Sequence, residues 1–225
     1  LGLQFKGKKI SYGTAGAVRA EAVQPANSDG MRFVLRAGKR SCPIQLRYLG
    51  RHNVNNAVGA AALALALGVR LTAIRRGLAK AHPYEMRMQA GRWRGATVIN
   101  DAYNANPASM AAAVNTLAAL NGGGEKVAVL GDMFELGKTT GRAHRELGKR
   151  IAKTRIHRLY LLGPQAAAVK AGAVSGGMAR DRVIVGQDHG DIARQLKSHV
   201  KRGDCLLIKG SRGMRMEKIL AELKG

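Results

Sequence analysis

The sequence predicts an α/β protein whose larger, carboxyl-terminal part is a mostly parallel sheet with helices on both faces. A β-rich and helical segment precedes that part. Three observations predict it. From Thr97 onward, short β-branched and leucine-rich runs alternate with helical patterns every 25 residues or so, the rhythm of βα units. Up to residue 50, short strand-like runs are cut by Gly, Asn, Ser and Pro, as in an antiparallel layer. Between the two lies the Ala/Leu stretch Ala57–Leu67, helical in composition and ended by Gly68.

Taken in order, Lys8–Tyr12, Val18–Val23, Met31–Arg36 and Ile44–Leu49 read as strands. The Ala/Leu helix follows, then a second helix over Leu71–Lys80 that His82-Pro83 breaks. The natural cut lies in the residues after Pro83, giving domains 1–85 and 86–225. In the second domain, Arg87–Arg94 and Thr97–Asn100 are strand-like, and Pro107 with Asn106 before it opens a helix over Ala108–Leu120. Strands are then expected at Lys126–Leu130, Arg158–Leu162, Arg182–Val185 and Asp204–Ile208. Helices are expected at Gly141–Thr154, Gln165–Ala171, Asp188–Val200 and Met214–Leu223. With 46% hydrophobic residues, 225 residues are enough for one large core or two smaller ones.

The charge is unusual. There are 38 basic and 14 acidic residues, a formal +24. Residues 1–100 hold 17 basic and 3 acidic, residues 101–225 hold 21 and 11, so the excess is not a tail. Such a surface suits an anionic ligand or nucleic acid. Aromatics make up only 4% and do not interleave with the basic residues, which leaves no stacking platform for single strands. No run of about 18 apolar residues exists, so no membrane span is expected. Cys42 and Cys205 are far apart in sequence and are expected to be reduced thiols of a cytoplasmic protein. The start LGLQFKGKKI has neither an initiator Met nor an apolar signal core. The chain is therefore expected to begin inside a longer protein.

Two stretches carry most of the chemistry. In Thr97–Met110, TVINDAYNANPASM, the apolar signal stops and Asp101, Tyr103, Asn104 and Asn106 appear at the carboxyl end of a strand. Ligands bind at such strand ends in open α/β sheets, and an Asp there can accept hydrogen bonds from sugar hydroxyls; an Asx-turn and helix cap are the plainer reading. In Gly50–Ala57, GRHNVNNA, three Asn and a His sit at a helix entry. A carboxamide matches the amino and ring-nitrogen edge of adenine, or Asn53 or Asn55 simply caps the helix. A third stretch, Val127–Thr139, imitates a P-loop, but five residues rather than four separate Gly131 from Gly137. Asp132 and Glu135 there would also repel phosphate. His144 is open to packing or chemistry, and Trp93 reads as core or interface.

Together these stretches resemble the Mur ligase family: GRHNVNNA at 50–57, Arg87, NDAYNANPASM at 100–110, VLGDMFELG at 129–137, His144 and IKGSRGMRME at 208–217. The resemblance points to the dipeptide-adding branch. It implies a Rossmann-like carboxyl-terminal domain over 86–225 and, over 1–85, the end of the central ATP-binding domain, with the P-loop upstream. It implies ATP-driven amide formation through an acyl phosphate, with UDP-N-acetylmuramoyl-tripeptide and D-alanyl-D-alanine as substrates. Mg²⁺ is also implied, its ligands lying in the upstream part. By the same resemblance Asn53 and Asn56 contact adenine, Asp101 the ATP ribose, and Arg87 the phosphates. Tyr103, Asn104 and Asn106 face the dipeptide, while Lys209, Ser211 and Arg212 hold its carboxylate. Arg87 and Lys209 are the expected catalytic residues. A monomer with no nucleic-acid or membrane partner is expected, inactive by itself. The competing reading is a basic α/β module that binds nucleic acid or nucleotide without catalysis, separable by a steep salt dependence of oligonucleotide binding.

Overall fold

The computed structural model describes residues 6, 7 and 9–225. It divides into two compact units, Leu1–His82 and Pro83–Gly225.

Among the described residues, the first unit is a three-stranded antiparallel sheet with two α-helices. Strands β1 (Val18–Pro25), β2 (Met31–Ala37) and β3 (Arg40–Leu46) lie in that order. The register of β1 on β2 shifts between Glu21 and Gln24, where Ala22 has a left-handed φ of 51°, the signature of a bulge. The strand expected at Lys8–Tyr12 falls partly on Lys8, outside the described residues; Tyr12 makes an isolated bridge to Val18. Helix α1 (Arg51–Ala66) buries Val54, Ala57, Val58, Ala61 and Ala62, the three- and four-residue spacing of one helical face. That face packs on β1 and β2, with Phe33, Leu35, Ile44 and Leu46 in the same core. Helix α2 (Leu71–Lys80) lies against β3.

The second unit is the α/β part. Its six strands are β4 (Gln89–Trp93), β5 (Ala96–Asp101), β6 (Lys126–Gly131), β7 (Arg158–Leu162), β8 (Val183–Val185) and β9 (Cys205–Lys209). Their order is β4-β5-β9-β6-β7-β8. Only the β4–β5 pairing is antiparallel. The helices are α3 (Pro107–Ala119), α4 (Thr140–Ala152), α5 (Ala166–Ser175), α6 (His189–His199) and α7 (Glu217–Lys224). Strand residues alternate between two buried faces. Val127, Val129, Tyr160, Leu162, Leu206 and Ile208 share a core with Ile192, Leu196, Ile219 and Leu223 of α6 and α7. Ile99, Ala128, Leu130, Leu159, Leu161 and Leu207 point to the other face, where α3 meets β6 and β9, and α5 meets β7 and β8. Burial on both faces explains why these strands are continuous apolar runs. Trp93 belongs to the core reading: its indole N–H donates to Leu223 O at 2.9 Å and its ring packs on the α6–α7 core. No helix among the described residues is long and apolar enough to cross a membrane.

Helices α4 and α5 cross at unusually short range through two glycines. A Cβ on Gly148 would lie 2.1 Å from Val169 O, and one on Gly172 2.0 Å from Arg145 O. Rigid backbone cannot yield as a side chain can, so Gly172→Ala is expected to cost about 1–3 kcal/mol, the range for overpacking. The check is the urea midpoint, with Gly123→Ala, which meets open space, as the silent control.

Candidate functional site

The strand insertion that defines the sheet also builds the site. Chain order runs β5, β6, β7, β8 and then returns to place β9 between β5 and β6. That reversal is the kind of switch point at whose carboxyl edge ligands bind. It aligns Asp101, the last residue of β5, with Lys209, the last of β9, in parallel register.

The two side chains meet there. Lys209 Nζ donates to Asp101 Oδ2 at 2.7 Å, to Asn104 O at 2.9 Å and, at 3.5 Å, to Asp101 O. Lys209 is only 2% exposed, and an ammonium has three N–H donors, so all three are spent inside the fold. Asp101 Oδ1 accepts from Met88 N at 2.9 Å. Ser211, 1% exposed, accepts from Phe134 N at 2.8 Å and donates to Ala105 O at 3.3 Å. The Lys209 and Ser211 side chains, expected to hold a substrate carboxylate, make these internal bonds in the structure. Lys209 ties the tip of β9 to the loop after β5, and Ser211 ties that loop to the one after β6. Asp101 is likewise turned inward, each oxygen already holding one internal donor. Asn106 caps α3: its Oδ1 accepts from Ser109 N at 2.8 Å while Ser109 Oγ accepts from Asn106 N at 3.0 Å, a reciprocal capping box. That is the plainer of the two sequence readings, and it occupies the Asn106 side chain.

The outward-facing groups are Arg87, Tyr103, Asn104 and Arg212. The Arg87 guanidinium lies over the Tyr103 ring, 4.1 Å from its centroid, a cation–π pair. Tyr103 is 44% exposed and its N–H donates to Met86 O at 3.0 Å. Asn104 Oδ1 accepts from Ala105 N at 2.8 Å. Arg212 reaches Met86 Sδ at 3.4 Å and Glu217 Oε1 at 2.9 Å. Two exposed guanidiniums and two amphipathic or polar side chains therefore surround a tip whose interior is locked. Such an edge can take anions by bidentate hydrogen bonds and stack or hydrogen-bond a small peptide.

The near-P-loop stretch does something else. It contains no helix entry at Gly131. Asp132 is buried at the end of β6, its oxygens 3.2 Å from Gln165 N and its carbonyl accepting from Ser211 N at 2.9 Å. His144 is wholly buried; Nδ1 faces Thr140 O at 2.8 Å and Nε2 faces Met133 N at 2.9 Å. A carbonyl only accepts and an amide N–H only donates, so the proton sits on Nδ1 and the ring is neutral. The 4.0 Å approach of Nε2 to Asp132 is then no ion pair, and His144 resolves to packing and backbone support.

Burial pushes the Asp132 carboxyl above its ordinary value, outweighing the Gln165 N–H, which acts the other way. A raised carboxyl binds its proton more tightly in the folded state. Its contribution to stability is greatest below the ordinary aspartate value and is lost as pH rises through the raised one. Asp132→Asn keeps an acceptor for Gln165 and is expected to flatten the fall in thermal midpoint between about pH 4 and neutrality. A pH profile parallel to the parent's would contradict this.

Asn53 and Asn56 lie in the first unit, on α1. The helix begins at Arg51 with Gly50 as its cap, six residues before the Ala/Leu stretch. Neither Asn53 nor Asn55 is the cap, which corrects that alternative. Asn53 Nδ2 donates to Leu49 O at 2.8 Å and Asn56 Nδ2 to Asn53 Oδ1 at 3.3 Å. Sequence reasoning missed the contributions of Met86, Met88 and Phe134, whose backbone N–H and C=O groups hold the loops and carry no side-chain signature.

Comparison with known proteins bears on this edge. The family model described as Mur ligase, glutamate ligase domain, matches residues 86–212. The chain is 34% identical over 198 residues to UDP-N-acetylmuramoyl-tripeptide–D-alanyl-D-alanine ligase of Bacillus subtilis, covering 88% of this chain and 43% of that protein. It is 33% identical over 201 residues to the protein of the same name from Escherichia coli, covering 88% and 42%. A crystal structure of MurF from Acinetobacter baumannii superposes with a TM-score of 0.84 at 32% identity, covering 95% of this chain and 46% of that one. The chain spans less than half the length of these relatives.

Proposed function

Because this chain belongs to the Mur ligase family, we propose that it is the carboxyl-terminal portion of an ATP-dependent ligase that joins D-alanyl-D-alanine to UDP-N-acetylmuramoyl-tripeptide. The observation that carries the reading is the register of β5 on β9. It brings NDAYNANP and KGSR to one edge of one sheet, in a chain about a third identical to ligases named for that reaction.

ATP supplies the phosphoryl group that activates the tripeptide carboxylate, and the dipeptide amine then displaces phosphate to form the amide. Such chemistry depends on positioning and on offsetting charge. In our proposal Arg87 binds the phosphates, where a fixed guanidinium fork serves best. Tyr103 and Asn104 receive the dipeptide, and Arg212 its carboxylate. Lys209, Ser211 and Asn106 hold the loop that carries Tyr103 and Asn104, instead of touching substrate. Asn53 and Asn56, on the first unit, contact adenine. Domain 1–85 then corresponds to the end of the central ATP-binding domain. Among the described residues no three His, Cys, Asp or Glu side chains converge on a metal position.

The test is to join the chain to the P-loop-bearing half of a Mur ligase and follow ADP release. Expected is release that requires both the tripeptide nucleotide and D-alanyl-D-alanine, with the amide product seen by mass spectrometry and almost no turnover by the chain alone. Release indifferent to D-alanyl-D-alanine would refute the substrate assignment.

A further inference from the structure

Two left-handed residues flank an exposed functional candidate of the second unit. Met86 has φ 56° and Met88 φ 50°, both left-handed, with Arg87 between them. Left-handed conformations are uncommon for non-glycine residues, and two within three residues persist only where the surroundings over-determine them. Here the surroundings are specific. Met86 O accepts from Tyr103 N at 3.0 Å and Arg87 N donates to Tyr84 O at 3.2 Å. Met86 N donates to Gln89 Oε1 at 3.3 Å. Met88 N, on a residue only 4% exposed, donates to Asp101 Oδ1 at 2.9 Å. Of these acceptors only Asp101 is a charged side chain, and its second oxygen is anchored by Lys209.

We infer that Asp101 is a positioning residue for Arg87. One carboxylate oxygen holds the left-handed segment through the Met88 amide, and the other is fixed by Lys209. The guanidinium is thereby presented over Tyr103 to a phosphate chain. The buried Lys209–Asp101 pair thus acts on the bound anion through Arg87. The identity of the anion rests on the function proposed above; the tether itself does not.

Two double variants of the 225-residue chain separate the tether from the ion pair. Asp101→Asn with Lys209→Met removes the pair but keeps an acceptor for Met88 N. Asp101→Leu with Lys209→Met removes both. Replacing both members of a buried pair by neutral groups of similar volume is commonly tolerated, so both proteins are expected to fold, the Leu/Met protein with the lower thermal midpoint because Met88 N loses its acceptor. The readouts are amide exchange at Met88, the Arg87 side-chain NMR signal, and binding of inorganic tripolyphosphate at fixed ionic strength. The Asn/Met protein is expected to keep Met88 protection and to bind tripolyphosphate like the parent. The Leu/Met protein is expected to lose about tenfold in each, the size for a buried donor deprived of its acceptor. Equal Met88 exchange and equal Arg87 order in the two doubles would overturn the inference. If Met88 exchange separates them while tripolyphosphate binds neither parent nor variant, the tether stands and the phosphate role of Arg87 falls.

Discussion

Lys209→Ala is expected to destabilise the second unit by about 3–5 kcal/mol, the cost of removing one partner from a buried charge pair. Asp101 would keep its charge with no cation beside it, and Asn104 O would lose a donor that lies at 2.9 Å. The residue is 2% exposed, so water cannot readily replace the ammonium. The Asp101→Asn, Lys209→Met double variant is expected to cost much less, because no buried charge is left unpaired. Urea denaturation of the single and double variants checks both statements. A loss below about 1 kcal/mol for Lys209→Ala, the range of surface pairs, would mean that the pair is solvated.

Arg87→Ala is expected to do the opposite: little to stability and much to activity. The side chain is exposed and its internal partner is the Tyr103 ring, worth about 0.5–1 kcal/mol at an exposed site. In the ligase assembled with a P-loop half, removal of a fixed donor aimed at developing phosphate charge is expected to slow ADP release by about 10²–10³. Arg87→Lys keeps the charge without the planar fork and is expected to fall between. Unchanged turnover in Arg87→Ala would remove Arg87 from the reaction.

The sheet of the second unit was legible because its parallel strands are buried on both faces. Thr97–Asn100, Lys126–Leu130 and Arg158–Leu162 are apolar runs of strand length, and Asn106-Pro107 marks a helix start by its own chemistry. Boundaries were less legible. Helix α1 starts at Arg51, with Gly50 at the cap position and no side-chain capping bond, while Asn55 and Asn56 lie on its exposed side, where no apolar periodicity announces a helix. Edge strand β4 is shorter than expected, since Gln89–Arg92 is exposed and carries little pattern.

For the candidate site, the sequence places polar clusters after apolar runs, and the structure brings two of them together at the carboxyl edge of the sheet. The sequence does not reveal that Lys209 and Ser211 turn inward. That follows from the β5–β9 register, a pairing between segments 108 residues apart. Nor does a methionine signal a left-handed backbone at Met86 or Met88. That conformation is imposed by Tyr103 N, Gln89 and Asp101, all acting on backbone atoms.

The most direct test of the account is an NMR map of D-alanyl-D-alanine binding to this chain. The account predicts shifts confined to the carboxyl edge of the second unit, at Tyr103, Asn104, Arg212 and their neighbours, and weaker shifts with L-alanyl-L-alanine. Shifts that leave this edge untouched and fall elsewhere on the chain, or that are the same for both dipeptides, would contradict it.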